Sequence, residues 1–144
     1  MEIMLDIPKI EAGSNITIQK TVHKEDTGLK YGTGQLDTLF ATPSLVALMI
    51  EASVQLVDKK LPEGFITVCK TAEVTHEDTT LLGETVSIQV EVARVNGNHI
   101  EFKMIAYDEV GLIGSGTHER LIVNKKALLQ KAARRAEKLE NLDF

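Results

Sequence analysis

The stretch Thr38–Val57, "TLFATPSLVALMIEASVQLV", decides how this chain folds. It reads as a helix that is apolar almost all the way round, with one carboxylate, Glu51, in its middle. Thr42-Pro43 is a good start for it, because a threonine hydroxyl can cap free backbone N–H groups and proline suits the first helical position. The helix is expected to run from Pro43 to about Lys60, where "LPEG" breaks it with Pro62 and Gly64. A helix with so wide an apolar surface needs more cover than one face of a small sheet supplies. A second subunit is therefore expected on burial grounds, giving a homodimer and leaving open a tetramer of paired dimers.

On either side of this helix the pattern changes from helical spacing to strict alternation. "NITIQKTV" before it is expected to form a short strand. After it, Ile66, Val68, Ala72, Val74 and His76 share one parity, interrupted by Lys70, and Val86, Ile88, Val90 and Val92 alternate with Ser87, Gln89 and Glu91. "NGN" at 96–98 is a hairpin turn, Ile100, Phe102, Met104 and Ala106 return, and Leu112–Val123 is the last strand. These four are expected to form an antiparallel meander. Residues 125–141 are expected to be an amphipathic helix capped by Asn124, with its basic face in solvent or holding a partner or a cofactor phosphate. The order strand, long helix, meander is that of an α+β fold with the helix laid across one sheet face.

Composition narrows the function classes. The 144 residues, 43% of them apolar, suit one domain over 1–144 with one core. A net charge of -5 gives no basic field for nucleic acid, and no run of about 18 apolar residues could cross a bilayer. The start "MEIMLDIPKIEAG" lacks the basic, then apolar, order of an export signal. The single Cys69 excludes an internal disulfide and a cysteine metal cluster, so no metal site is expected and a reducing cytoplasm is. "HKEDTGLKYGTGQLDT" is a loop whose Gly32 and Gly34 do not make a phosphate-binding motif.

Three side chains that could carry chemistry converge in this layout: Thr42, Glu51 and His76. Each also has a plain structural use. Thr42 can be only a cap, His76 only a bonded strand end, and Glu51 part of a polar stripe with Ser44, Gln55 and Asp58. Against the last, Ala47, Leu48, Ala52 and Val54 crowd Glu51, and a carboxylate within reach of an imidazole is what acyl hydrolysis requires.

"GTGQLDTLFATPSLVALMIEA", "VTHEDTTLLGETV" and "AYDEVGLIGSGTHERLIVN" resemble the hot-dog thioesterases of the fluoroacetyl-CoA thioesterase-like family. The resemblance implies a long central helix wrapped by a highly curved antiparallel sheet, two subunits sharing one continuous sheet, and active sites at the dimer interface. It implies catalytic roles for Thr42 and His76, with Gly83 marking the turn that follows, and places Arg120 near the acyl pocket. The family's glutamate falls on Ile50, one residue from Glu51, and one residue turns a helical side chain by about 100°. Cys69 stands where the family has a glycine beside the acyl group, and Leu36 stands near its gating phenylalanines, which argues against fluoroacetyl-CoA itself as the substrate. The implied activity is hydrolysis of a short or medium acyl-CoA, with coenzyme A as part of the substrate and no other cofactor. The alternative is a non-catalytic acyl-CoA binding or sensing protein. A hot-dog hydratase is disfavoured, because the chain lacks the aspartate and histidine pair of those enzymes.

Overall fold

The computed structural model describes residues 10–141. In chain order they form β1 (Asn15–Thr21), α1 (Thr42–Val57), β2 (Phe65–His76), β3 (Thr85–Asn96), β4 (His99–Tyr107), β5 (Leu112–Asn124) and α2 (Lys125–Glu137). Short 3-10 turns stand at Lys24–Asp26, Gly28–Lys30 and Asp58–Lys60. The five strands make one antiparallel sheet in the order β1-β3-β4-β5-β2, with α1 packed against it.

The core lies between α1 and the concave face of the sheet. Leu45, Met49 and Ala52 of α1 have no exposed surface, and neither do Val86, Ile88 and Val90 of β3 or Ile100 of β4. Burying each of the larger of these side chains is worth about 1.5–3 kcal/mol, which is why the alternation in β3 and β4 predicts the observed inward set correctly. The rest of α1 is covered less well. Val46, Ile50 and Val54 are half-buried, and Ala47, Glu51 and Gln55 are exposed, so one flank of an apolar helix stays open.

Four expectations need correcting. The meander holds only for β3, β4 and β5, since β2 pairs with β5 and lies at the far edge of the sheet. Alternation reports which side chains face inward and carries no information about which strand lies alongside. Second, the parity assigned to β2 fails at its start. A bulge between Cys69 and Thr71 adds Lys70 to one strand only, so the residues opposite the inward-facing Ile122, Arg120 and His118 are Thr67, Cys69 and Ala72, and Ile66 and Val68 face outward. Third, α1 ends at Val57 and tightens into a 3-10 turn, because Asp58 turns to accept from the Thr67 N–H at 3.2 Å and the Thr67 hydroxyl at 2.5 Å. Fourth, α2 ends at Glu137. Asn124 caps it as expected, its side chain accepting from Ala127 N at 2.9 Å, and its side chains are exposed apart from a half-buried Leu128. In the 96–98 turn only Gly97 takes a positive φ, 62°.

Gly114 fixes the geometry that matters most for the site. It pairs with His76, and a Cβ there would stand 2.7 Å from the Thr75 carbonyl and 3.3 Å from the Leu45 side chain. The missing side chain lets the end of β2 and the start of α1 approach the same point of the sheet.

Candidate active site

At that point His76, the last residue of β2, meets Thr42, the first residue of α1. Thr42 Oγ1 and His76 Nδ1 are 2.8 Å apart. The threonine is therefore not a cap: the N-cap position is Ala41, no side chain caps the helix, and the hydroxyl is turned to the imidazole. The segment leading in is held by backbone bonds from Phe40 N to Thr80 O (2.8 Å) and from Ala41 N to Asp26 O (2.9 Å). The Phe40 ring meets the imidazole edge-on, with centroids 6.0 Å apart.

Burial pushes the His76 pKa below its ordinary value, partly offset by the backbone of Asp78, so the ring is neutral at pH 7. Its other nitrogen, Nε2, is buried and has no hydrogen-bond partner. Such a group is uncommon in folded proteins and costs free energy, and it marks an imidazole with one nitrogen still to be used. The first helical N–H to find a partner is Leu45, on Ala41 O at 3.0 Å, and Pro43 has none. Among the described residues the amides of Thr42 and Ser44 are left free at the positive end of the helix, where a developing oxyanion would be stabilised.

The pair opens into a cavity of about 510 Å³ lined by Tyr31, Leu36, Leu39, Phe40, Glu77 and Asp78, among others. Among the described residues no lysine or arginine lines it. Its outer wall is the loop that follows β1. Gly28 N bonds to both Leu36 O (2.9 Å) and Leu39 O (3.1 Å), and Lys20 is paired with Asp26 at 2.6 Å.

A second polar group lies near the other end of α1. Arg120 is buried, and it donates from Nε to Thr67 Oγ1 (2.7 Å), from Nη2 to the Thr67 carbonyl (2.9 Å) and from Nη1 to His118 Nε2 (3.2 Å). The helix from Thr42 to Val57 has 16 residues and so spans about 22 Å at about 1.5 Å per step, which leaves Arg120 far from the cavity within one chain.

Residues 22–126, which carry both Thr42 and His76, are matched by the sequence profile of the family described as FlK, fluoroacetyl-CoA-specific thioesterase. The chain belongs to that family. The fluoroacetyl-CoA thioesterase of Streptantibioticus cattleyicolor is 36% identical over 86 residues, which span 60% of this chain and 62% of that protein. A hot-dog-like protein from Thermanaerovibrio acidaminovorans superposes with a TM-score of 0.81 at 31% identity, covering 86% of this chain and 91% of the other. A mutant of FlK in complex with fluoroacetate and CoA superposes at 0.77 with 28% identity, covering 83% and 99%.

Against the family pattern, the structure sorts the expected residues into three sets. Thr42, His76 and Leu36 line one cavity, with Leu36 63% exposed at its rim. Cys69 and Arg120 pair across β2 and β5 in the second group. Glu51 and Gly83 belong to neither. Within the single chain Glu51 is exposed on the open flank of α1 rather than crowded by apolar neighbours, its one hydrogen bond is from Gln55 Nε2 at 3.3 Å, and it does not line the cavity. Its neighbour Ile50 is half-buried and carries no acid group. Gly83 serves the backbone, adopting φ 93° in a turn whose N–H bonds to Val22 O at 2.9 Å. Sequence reasoning missed Thr67, Asp58 and His118. The signal for His118 was present, since His118 and Arg120 sit two apart in "THER" and so share a strand face.

Proposed function

We propose that this chain is an acyl-CoA thioesterase acting on short or medium acyl groups as a homodimer. The observation that carries this reading is the 2.8 Å contact between Thr42 Oγ1 and a neutral His76, beside free helix amides and open to a cavity large enough for an acyl group and its pantetheine sulfur. In this mechanism His76 Nδ1 takes the proton of Thr42 Oγ1 as that oxygen attacks the thioester carbon. The Thr42 and Ser44 amides hold the oxyanion, the C–S bond breaks, and the imidazolium returns its proton to the CoA thiolate. Water, deprotonated by the same imidazole, then cleaves the threonyl ester to the free acid. No step uses Glu51.

The dimer is supported by the two open surfaces. β2 is an edge strand of twelve residues whose inward Cys69 and Ala72 are exposed, and it adjoins the open flank of α1. Antiparallel pairing with β2 of a second copy about an axis near Thr71 would set His76 opposite Ile66. The far end of the partner's β2, with the partner's Arg120 beside it, then comes next to the Thr42–His76 pair. One site is so built from both groups, which accounts for an arginine that is remote within a single chain.

The decisive experiment is thiol release from a panel of acetyl- to octanoyl-CoA, with intact-mass detection of an acyl adduct on Thr42 in the steady state. Hydrolysis that Thr42→Ala abolishes supports the reading; no thiol release across the panel overturns it. The second reading, an acyl-CoA binder without turnover, is favoured by Ile50 at the position of the family's glutamate. It predicts thermal stabilisation by acyl-CoA with no free thiol.

A further inference from the structure

His118 takes no part in the mechanism above, yet it is almost fully buried and its bonding is completely determined. Its Nδ1 lies 2.7 Å from the Thr71 carbonyl, just beyond the bulge in β2, and a carbonyl can only accept, so Nδ1 carries a proton. Its Nε2 lies 3.2 Å from Arg120 Nη1, and a guanidinium can only donate, so Nε2 carries a lone pair. One tautomer satisfies both neighbours, whereas the imidazolium keeps the bond to the Thr71 carbonyl and loses the one with Arg120. The Phe102 ring is stacked behind the imidazole at a centroid distance of 5.7 Å and holds its plane.

We propose that His118 is a positioning residue that fixes the Arg120 guanidinium for substrate binding, and that protonating or removing the imidazole releases the arginine. Thr67 holds two donors of that guanidinium from one side, and His118 holds a third from the other, so the plane of the group is defined by both. Of the charged and titratable groups around His118, Arg120 lies on its own strand, the Cys69 thiol on β2 is 3.9 Å from Nδ1, and Asp58 after α1 acts through Thr67. Phe102 of β4 stacks on the ring, and Glu101, Lys103 and Glu119 line the shallow cavity that His118 also lines. Both burial and the adjacent arginine favour the neutral ring, with the Thr71 carbonyl working against them. Above the ordinary histidine range Arg120 is therefore held, and on acidification the bond to Nε2 is replaced by repulsion between two cations.

The consequence for substrate rests on the dimeric thioesterase reading, but the positioning itself does not, and the test separates them. In the ¹⁵N-labelled full chain, His118 is expected to be neutral and Nδ1-protonated at neutral pH. A slowly exchanging Arg120 Nη1–H signal is expected to persist in His118→Gln, whose amide can both donate and accept, and to broaden in His118→Phe. Binding of a non-hydrolysable acetyl-CoA thioether is then measured at neutral pH and at steps well below the ordinary histidine value of about 6.5, since His118 protonates only below it. His118→Phe should weaken it about tenfold, the scale of one lost hydrogen bond to a charged group. His118→Gln should keep the neutral-pH affinity and lose the weakening that the natural chain suffers in acid. An Nε2-protonated or charged His118 at neutral pH, or an Arg120 signal unchanged in His118→Phe, overturns the positioning. An acid response identical in His118→Gln overturns the protonation effect. Binding of the thioether without thiol release from the acetyl- to octanoyl-CoA panel would sink the hydrolase alone.

Discussion

The two histidine-centred groups at opposite ends of α1 are built on contrary plans. At Thr42–His76 one nitrogen meets one hydroxyl, and the other is buried with no partner. At His118–Arg120 both nitrogens and three guanidinium donors are engaged, and Thr67 is tied on to Asp58. Burial lowers the proton affinity of both imidazoles, yet only the first keeps unused bonding capacity. The imidazole that must exchange protons is left partly unsatisfied, and the imidazole that must hold its place has both nitrogens bonded.

The strongest way to break this contrast is to remove the reactive imidazole. His76→Ala should lower kcat about 10²–10⁴-fold, the usual worth of a general base, with little loss of stability because the residue has one hydrogen bond. A loss of folding instead, read by a denaturant titration, would show that the first group is structural after all. Next in size, Thr67→Val removes the hydroxyl that accepts from Arg120 Nε and donates to Asp58, while the Thr67 carbonyl remains, and should cost about 1–3 kcal/mol of stability. An unchanged denaturation midpoint would mean that the second group is not saturated by need.

The acid side sharpens the comparison. In the unfolded chain both imidazoles bind protons near 6.5, and in the native protein only at lower pH, so the unfolded state binds more protons in the window between. Stability is expected to be intact above that range and to fall as pH drops through it. Melting followed across that range should show the decline in the natural chain and a smaller one in His118→Gln. The smallest expected effect is that of Glu51→Gln, within about 0.5 kcal/mol in stability, as for exposed side chains in general, and within about twofold in kcat. A large loss of activity there would return the helix carboxylate to the mechanism.

How legible these groups were in the sequence follows from what each signal measures. The central helix, the Asn96–Asn98 hairpin and the Asn124 cap are local events, and local spacing was enough to read them. The pairing of β2 with β5 was not, because it depends on contacts formed across fifty residues. The bulge at Lys70 reverses a parity that was read as if the strand were regular, and with it the side to which Thr67 and Cys69 point. Thr42 was ambiguous for a different reason: a hydroxyl at a helix start serves equally as a cap or as a ligand for a distant imidazole, and only the packing at Gly114 brings that imidazole within reach. Glu51 misled because neighbours in sequence around a helix were taken as neighbours in space.

The open edge of β2 makes assembly a thermodynamic variable of the proposed thioesterase. In the proposed dimer, where each site takes its arginine from a second copy paired along β2, turnover is tied to mass action. On dilution, activity per chain and resistance to unfolding should then decline together over one concentration range, with the same midpoint in both.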